Sequence, residues 1–352
     1  MKKSTLSQLI TVVLLIVITL TACSAPAPAP APTPDPTPAV SDPTPAAEKF
    51  TLKLGSNTAP SSPENMFAKK LSELVKEKTS GNVVINVHDS ATLGDHLERQ
   101  EGLRLGTIDM TLTSIGYLGG YNPIFNIFEM PYLFKDEKHQ NAVYQGEVGE
   151  MISEEAEKHG FIMVSFLEMG ARNLTNSKKP VVTPADMKGL KIRVPETKSS
   201  MDALTAMGGT PTPMAFSELY MGLQQKQVDG QENPFSTIYS SKFHEVQKYL
   251  SLTGHQRIEQ VCLFGKVNWD KLPKEYQDII LASADEANLY VQELIAKEES
   301  DLINKLKEGG MEINEVDQPA FMKNIQPLRE QYVKEYGELA ATYFKMIDAA
   351  GK

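Results

Sequence analysis

Between Lys274 and Glu308 the chain carries neither glycine nor proline, and apolar residues return at helical spacing: Tyr276, Ile280, Ala284, Ala287, Val291, Leu294 and Ile295. Gly309-Gly310 closes the run. The pattern predicts one long helix, or two joined by a soft bend. A helix of about 35 residues spans ~50 Å, more than the width of one small domain, so this element is expected to bridge two. The roughly 300 residues after position 47 suffice for two cores of that kind.

What precedes the long helix alternates between strand and helix. Phe50–Gly55 and Val83–His88 read as strands, and Pro63–Lys78 reads as a helix with Met66, Phe67, Leu71, Leu74 and Val75 on one side. A helix near Asp95–Leu105 and a strand at Ile108–Leu112 complete a βαβαβ opening, the signature of an open sheet with helices on its faces. A helix over Glu137–His159 and strands at Phe161–Leu167, Leu190–Val194, Tyr249–Leu252 and Gln260–Val267 continue the series, and shorter helices fill Pro319–Ala349. No internal repeat is present. Cys262, flanked by Val261, Leu263 and Phe264, is expected to be a buried strand residue.

The first 47 residues are of another kind. Lys2 and Lys3 precede an apolar run from Leu9 to Leu20 that is too short for an ordinary membrane-spanning helix, and residues 1–22 read as a secretory signal. The run ends in Leu20-Thr21-Ala22-Cys23, which resembles the lipobox of bacterial lipoproteins; the resemblance implies cleavage before Cys23 and a lipid on its sulfur. From Ser24 to Ala47 proline alternates with alanine and threonine, a composition that cannot pack a core and favours extended polyproline II. The expected product is a globule held outside the cell membrane on a lipidated stalk.

Several classes of chemistry are excluded. A net charge of −10, with no basic run after residue 3, leaves no positive face for nucleic acid. Two cysteines make neither a zinc cage nor a disulfide framework, and the six histidines include no pair at metal-ligand spacing. No Gly-x-Ser-x-Gly elbow, phosphate-cradling loop or His-Glu-x-x-His motif occurs. The chain reads as a binder with no cofactor and no metal, not as an enzyme.

In the strand Leu190–Val194, Leu190, Ile192 and Val194 share one face while Lys191 and Arg193 share the other. An arginine fixed on a strand suits bidentate contact with a carboxylate, although the spacing also fits a structural ion pair or a solvated side chain. The surrounding motifs are more specific. DMKGLKIRVPET (186–197), GGTPTPMAFSELYMGLQQKQVDGQENP (208–234) and KFHEVQKYLSLTGH (242–255), together with LGDHLERQEGLRLGTIDM (93–110) and EMPYLF (129–134), resemble the solute-binding component of a tripartite ATP-independent periplasmic (TRAP) transporter of the C4-dicarboxylate-binding, DctP-like type. The resemblance covers residues 50–350.

It implies an α/β, two-domain fold of the periplasmic-binding-protein kind, with discontinuous domains, a long domain-bridging helix and an interdomain ligand cleft. The expected division is 48–169 with 259–298 against 170–258 with 299–352. By resemblance, Arg193 forms the main salt bridge to a ligand carboxylate, Asn233 of GQENP donates to the same group, Arg172 also reaches the ligand, and Phe216 lines the pocket. Read without the family, Asn233 and Phe216 are better explained as a turn and a core position. Asn57, Glu98 and Ser114 are further polar candidates for the cleft, with a solvated helix face as the plain alternative for Glu98. Sialic-acid binders of the family carry Glu and Arg three residues apart after the IDM strand; Ser114 and Tyr117 stand there, which argues against sialic acid.

A carboxylate such as Glu98 suits sugar hydroxyls and repels a second ligand carboxylate. The expected ligand is therefore a sugar acid, with a four-carbon dicarboxylate next. The implied partners are the small and large integral membrane subunits of a TRAP permease, driven by an ion gradient. The competing readings are a surface-anchored carbohydrate hydrolase, which needs two carboxylates facing each other ~5–9 Å apart, and a sensory lipoprotein.

Overall fold

A computed structural model describes residues 48–350; the signal segment, Cys23 and the proline-rich spacer lie outside the described residues. Strands β1 (Phe50–Gly55), β2 (Val83–His88) and β3 (Met110–Ser114) pair in parallel, as do β5 (Lys191–Val194), β6 (Thr210–Pro213) and β7 (Gly230–Asn233). Two long antiparallel strands, β4 (Phe161–Asn176) and β8 (Tyr249–Gly265), join these parallel blocks into one sheet of order β2-β1-β3-β8-β4-β7-β5-β6, and β9 (Glu312–Asn314) adds to β8. The β4–β8 register slips between Glu168 and Ala171 and again between Arg172 and Leu174. These irregularities fall in the middle of the ribbon, where it passes from one parallel block to the other.

Helices cover both faces, so the central strands are apolar on both sides. Along β8, Val261 and Leu263 enter one core while Cys262 and Phe264 enter the other, each fully buried. Helix α1 (Pro63–Lys78) begins at Ser62, whose hydroxyl accepts from the Asn65 amide, with Pro63 in the first turn where no amide is lost. Its Phe67, Ala68, Leu71, Leu74 and Val75 pack on the β1 side of the sheet. Helices α2 (His96–Leu105), α3 (Glu137–Tyr144) and α4 (Glu147–Lys158) follow, then α5 (Lys198–Ala206), α6 (Leu219–Gln224), α7 (Phe235–Ser240) and α8 (Lys266–Trp269).

The long helix α9 spans Lys274–Glu308 without interruption. Its stripe of Ile280, Ala284, Ala287 and Val291, each fully buried, lies in the core shared with α1, whereas Leu306 lies in a separate core with Leu219, Leu223 and Ile238. One rod thus contributes to two cores, and it touches α1, β4 and α7 along its length. The last helix, α10 (Gln318–Ala350), contains Pro327 and breaks at Gly337, whose φ of 73° only glycine adopts easily.

Three expectations need correction. The helix over 137–159 is two helices, because Gly146 caps the second and α4 passes so close to the end of α3 that a Cβ at Gly149 would stand 1.9 Å from the Tyr144 carbonyl oxygen. Tyr249–Leu252 and Gln260–Val267 are not separate strands: β8 runs unbroken from Tyr249 to Gly265, and residues 266–267 begin α8. The short strands β6, β7 and β9 were not expected. Cys262 is fully buried in β8, as read from its neighbours, and burial pushes its thiol pKa up.

Candidate functional site

Strand β5 carries Ile192 and Val194 into the core while Lys191 is exposed. Arg193 departs from a simple alternation, since it is also buried, at 2% exposure. Its Nε donates to the Met214 carbonyl at 2.9 Å, and its guanidinium carbon lies 5.7 Å from the centre of the half-buried Phe216 ring. Among the described residues, the arginines that form ion pairs are Arg104, Arg172, Arg257 and Arg329; Arg193 is not one of them. Its terminal nitrogens have no protein acceptor among the described residues. Burial pulls its pKa down, Arg172 adds to that, and Tyr117 and Glu232 oppose it. A cation held this way leaves a planar fork unspent, the geometry that bidentate contact with a carboxylate uses.

Arg172 is held differently. It sits on β4, one residue before the Asn173–Asn233 pairing with β7. It forms a fork with both oxygens of Glu232, and its Nη2 also donates 2.6 Å to the Glu232 carbonyl. His255 approaches the same carboxylate at 3.3 Å. Burial alone would raise the Glu232 pKa, but Arg172 and His255 overcome it and bring the group down to about 2. The Arg172 charge is therefore met inside the protein, leaving Nη1 as its donor without a protein acceptor among the described residues. Asn233, buried beside this pair, donates to Gln231 Oε1 at 2.5 Å.

A second wall comes from β1, α2 and β3. Asn57 lies just after β1, with Nδ2 2.6 Å from His96 Nε2 and 3.3 Å from Asp95 Oδ1. His96 Nδ1 is 2.8 Å from the Thr113 hydroxyl, and its ring stacks on Tyr117 at 4.3 Å. Burial, then the charges of Arg99 and Arg193, hold the His96 pKa well below its usual range, so the ring is neutral. Arg99 is fully buried and spends its donors on Thr111, Gly94 and Leu112; burial lowers its pKa to about 10. Tyr117 is buried and its pKa rises to about 12.

Ser114 is half-buried and donates to Glu129. The same carboxylate accepts from Thr197 at 3.2 Å, Ser199 at 2.5 Å and the Gly116 amide at 3.2 Å, fastening the end of β3 to the start of α5. Glu98 is exposed on α2. It belongs to a group of acids around the exposed Glu196, whose pKa is raised by partial burial first and then by Asp95, Glu218 and Glu98, against the pull of Arg193.

The structure thus brings Arg193, Phe216, Arg172 and Asn233 to one region and Asn57 to the wall near it, while Ser114 serves Glu129 and Glu98 stands on the rim. Sequence reasoning missed Asp95, His96, Arg99, Glu129 and Glu232. Glu129 opens EMPYLF and Glu232 lies inside GQENP, so both motifs were noticed without their acids. Nothing in the spacing of Arg99 marks it as buried. Of the cavities among the described residues, one of about 390 Å³ between α1, α7 and α9 and one of about 310 Å³ lie elsewhere, and one of about 320 Å³ borders the Arg172–Glu232 pair at Ala171 and His255. The site is identified by its charge chemistry, not by hollow volume. Among the described residues no cluster of His, Cys, Asp and Glu fits a metal ion.

Comparison with known proteins shows the family. Residues 54–335 match the family described as bacterial extracellular solute-binding protein, family 7, DctP. The chain is 35% identical over 300 residues to the 2,3-diketo-L-gulonate-binding periplasmic protein YiaO of Escherichia coli K12, covering 85% of this chain and 91% of that one. Among solved structures, a TRAP periplasmic solute-binding protein from Polaromonas sp. JS666 bound to D-erythronate superposes with a TM-score of 0.82 at 35% identity, covering 86% and 99% of the two chains. One from Sulfurospirillum deleyianum with bound succinate gives 0.81 at 29% identity, covering 86% and 99%.

Proposed function

The chain belongs to the DctP family of TRAP periplasmic solute-binding proteins, and on that premise we propose that it captures a sugar acid, uronate or aldonate in type, at Arg193 and delivers it to a membrane permease. Family membership sets the hydrolase reading aside, since these proteins bind solutes and do not turn them over. The observation that carries the proposal is the buried Arg193 guanidinium, left without an ion-pair partner and flanked by Phe216. A carboxylate that loses its water on entering must gain charge-assisted bonds in return. Arg193 supplies two terminal nitrogens, and in this reading Arg172 Nη1, charge-compensated by Glu232, and the neutral Asn233 amide add to them.

Only one ligand charge is favoured. Arg172 is already matched by Glu232, and the acids Asp95, Glu98 and Glu218 gather around Glu196, which itself feels the Arg193 charge. A second carboxylate on the ligand would meet negative potential, whereas hydroxyls would find acceptors. This ranks a sugar acid above a four-carbon dicarboxylate, the second reading, which the succinate-bound relative keeps in play.

Residues 48–169 with 259–298 and residues 170–258 with 299–352 act in this reading as two lobes. The register slips of β4 and β8 provide the hinge, and ligand binding stabilises the closed population. In this reading Cys23 carries the lipid, and residues 24–47 link it to the folded part of the chain. The permease consists of a small and a large membrane subunit powered by an ion gradient.

The test is a thermal-shift screen of uronates, aldonates and dicarboxylates. A ligand at a hundred times its Kd should stabilise the protein by about 2.7 kcal/mol. Arg193→Ala should lose that stabilisation while its unliganded fold persists. Equal affinity of Arg193→Ala and the wild type in calorimetry would remove the assignment.

A further inference from the structure

The residue at the N-cap of α2 is an aspartate, a residue type whose carboxylate ordinarily accepts from the first free amides of its helix. Asp95 makes no such cap. Its Oδ1 faces Asn57 Nδ2 at 3.3 Å, and its Oδ2 accepts from the hydroxyl of Ser217, the residue after Phe216. A carboxylate can only accept, so the Asn57 atom turned toward it must be the NH2 group. That same nitrogen stands 2.6 Å from His96 Nε2, which therefore accepts, while Nδ1–H donates to Thr113 at 2.8 Å. The Arg99 Nη2 contact to Nδ1 is longer, at 3.4 Å. With its nitrogen spent on two acceptors, the Asn57 side chain has one polar atom without a protein partner among the described residues: its amide oxygen Oδ1.

We propose that Asp95 is a specificity-determining positioning residue, which turns Asn57 so that a pure acceptor faces the ligand and which grips Ser217 on the lip carrying Phe216. A ligand hydroxyl satisfies that acceptor, and a second ligand carboxylate is repelled by it. The choice of ligand and the seating of the two lips then depend on one side chain. This inference rests on the sugar-acid reading above and assigns the group that enforces it.

The experiment is calorimetry at pH 7 with two matched pairs, D-erythronate with meso-tartrate and L-gulonate with glucarate. Each pair differs only in a terminal hydroxymethyl group against a carboxylate. The wild type should prefer the aldonate of at least one pair by roughly tenfold or more, the size of penalty a mismatched buried polar group exacts. Asp95→Asn keeps the shape but lets both amides turn, and should cut that preference at least about fivefold; Asp95→Ser serves as the second variant should the first fold poorly. Ser217→Ala should weaken both members of a pair alike and leave their ratio unchanged. If Asp95→Asn and Asp95→Ser keep the wild-type ratio, the inference is overturned while the sugar-acid reading stands. If the wild type prefers the dicarboxylates, or binds none of the four, both fall together.

Discussion

Two arginines, Arg172 on β4 and Arg193 on β5, lie in the same part of the molecule and are both removed from water, at 7% and 2% exposure. One is matched by Glu232 on the neighbouring strand and the other by no carboxylate among the described residues. Burying a cation is costly in either case. For Arg172 the protein supplies the compensation when it folds. For Arg193 the direct contacts are the Met214 carbonyl and the face of Phe216, with Tyr117, Glu232 and Asp95 acting from farther off, and its terminal nitrogens meet no protein acceptor among the described residues. Pairing fits a structural arginine, and in the proposed function the unpaired one is the receptor.

The contrast breaks most readily at Arg172. Replacing it with methionine strands Glu232 as a buried charge and should lower unfolding free energy by about 3–5 kcal/mol, read from urea denaturation. A loss below about 1 kcal/mol would mean that the pair is not the structural partner of the two.

Acid should reveal the same pair. The Glu232 pKa is depressed in the folded state, from an ordinary 4.5 to about 2. Its stabilisation is therefore fully present above about pH 5 and is lost as pH falls toward 2, a decline of about 3 kcal/mol. Glu232→Gln should flatten that part of the pH–stability curve, and an unchanged acid limb would contradict the coupling.

Arg193→Met should act in the opposite sense. We expect ligand affinity to fall by about a hundredfold or more, with unliganded stability unchanged or slightly raised, because an unpaired buried charge is gone. A destabilised apo protein would show that Arg193 holds the fold after all. The smallest effect belongs to Phe216. Phe216→Leu removes the ring face under the guanidinium and should weaken binding by roughly three- to tenfold, about 1 kcal/mol; no change would confine Phe216 to its edge contact with Phe243.

The frame was legible where a segment has one apolar face and clear ends. Phe50–Gly55, Pro63–Lys78, Val83–His88 and Lys274–Glu308 follow from periodicity, a capping serine with its proline, and a terminal glycine pair. It failed where the site interrupts that rule. Thr253 and His255 lie in mid-strand and are buried because they serve polar partners, so the stretch resembles a loop when judged by hydropathy. Arg193 could be named from its motif, but its lack of a partner is a fact of three dimensions. The same holds for Asp95, which reads as an ordinary helix cap until its oxygens are seen to face Asn57 and Ser217.

Cys262 has a practical consequence. Its sulfur sits at zero exposure between β3 and β4 in the middle of the sheet, and burial keeps it in the unreactive thiol form. In a version of the protein that starts after Cys23, a maleimide or mixed-disulfide reagent would then find no target while the sheet is intact. Slow labelling at this one sulfur would count the rare openings of the sheet core, and a cysteine introduced on either lip could carry a fluorophore free of background.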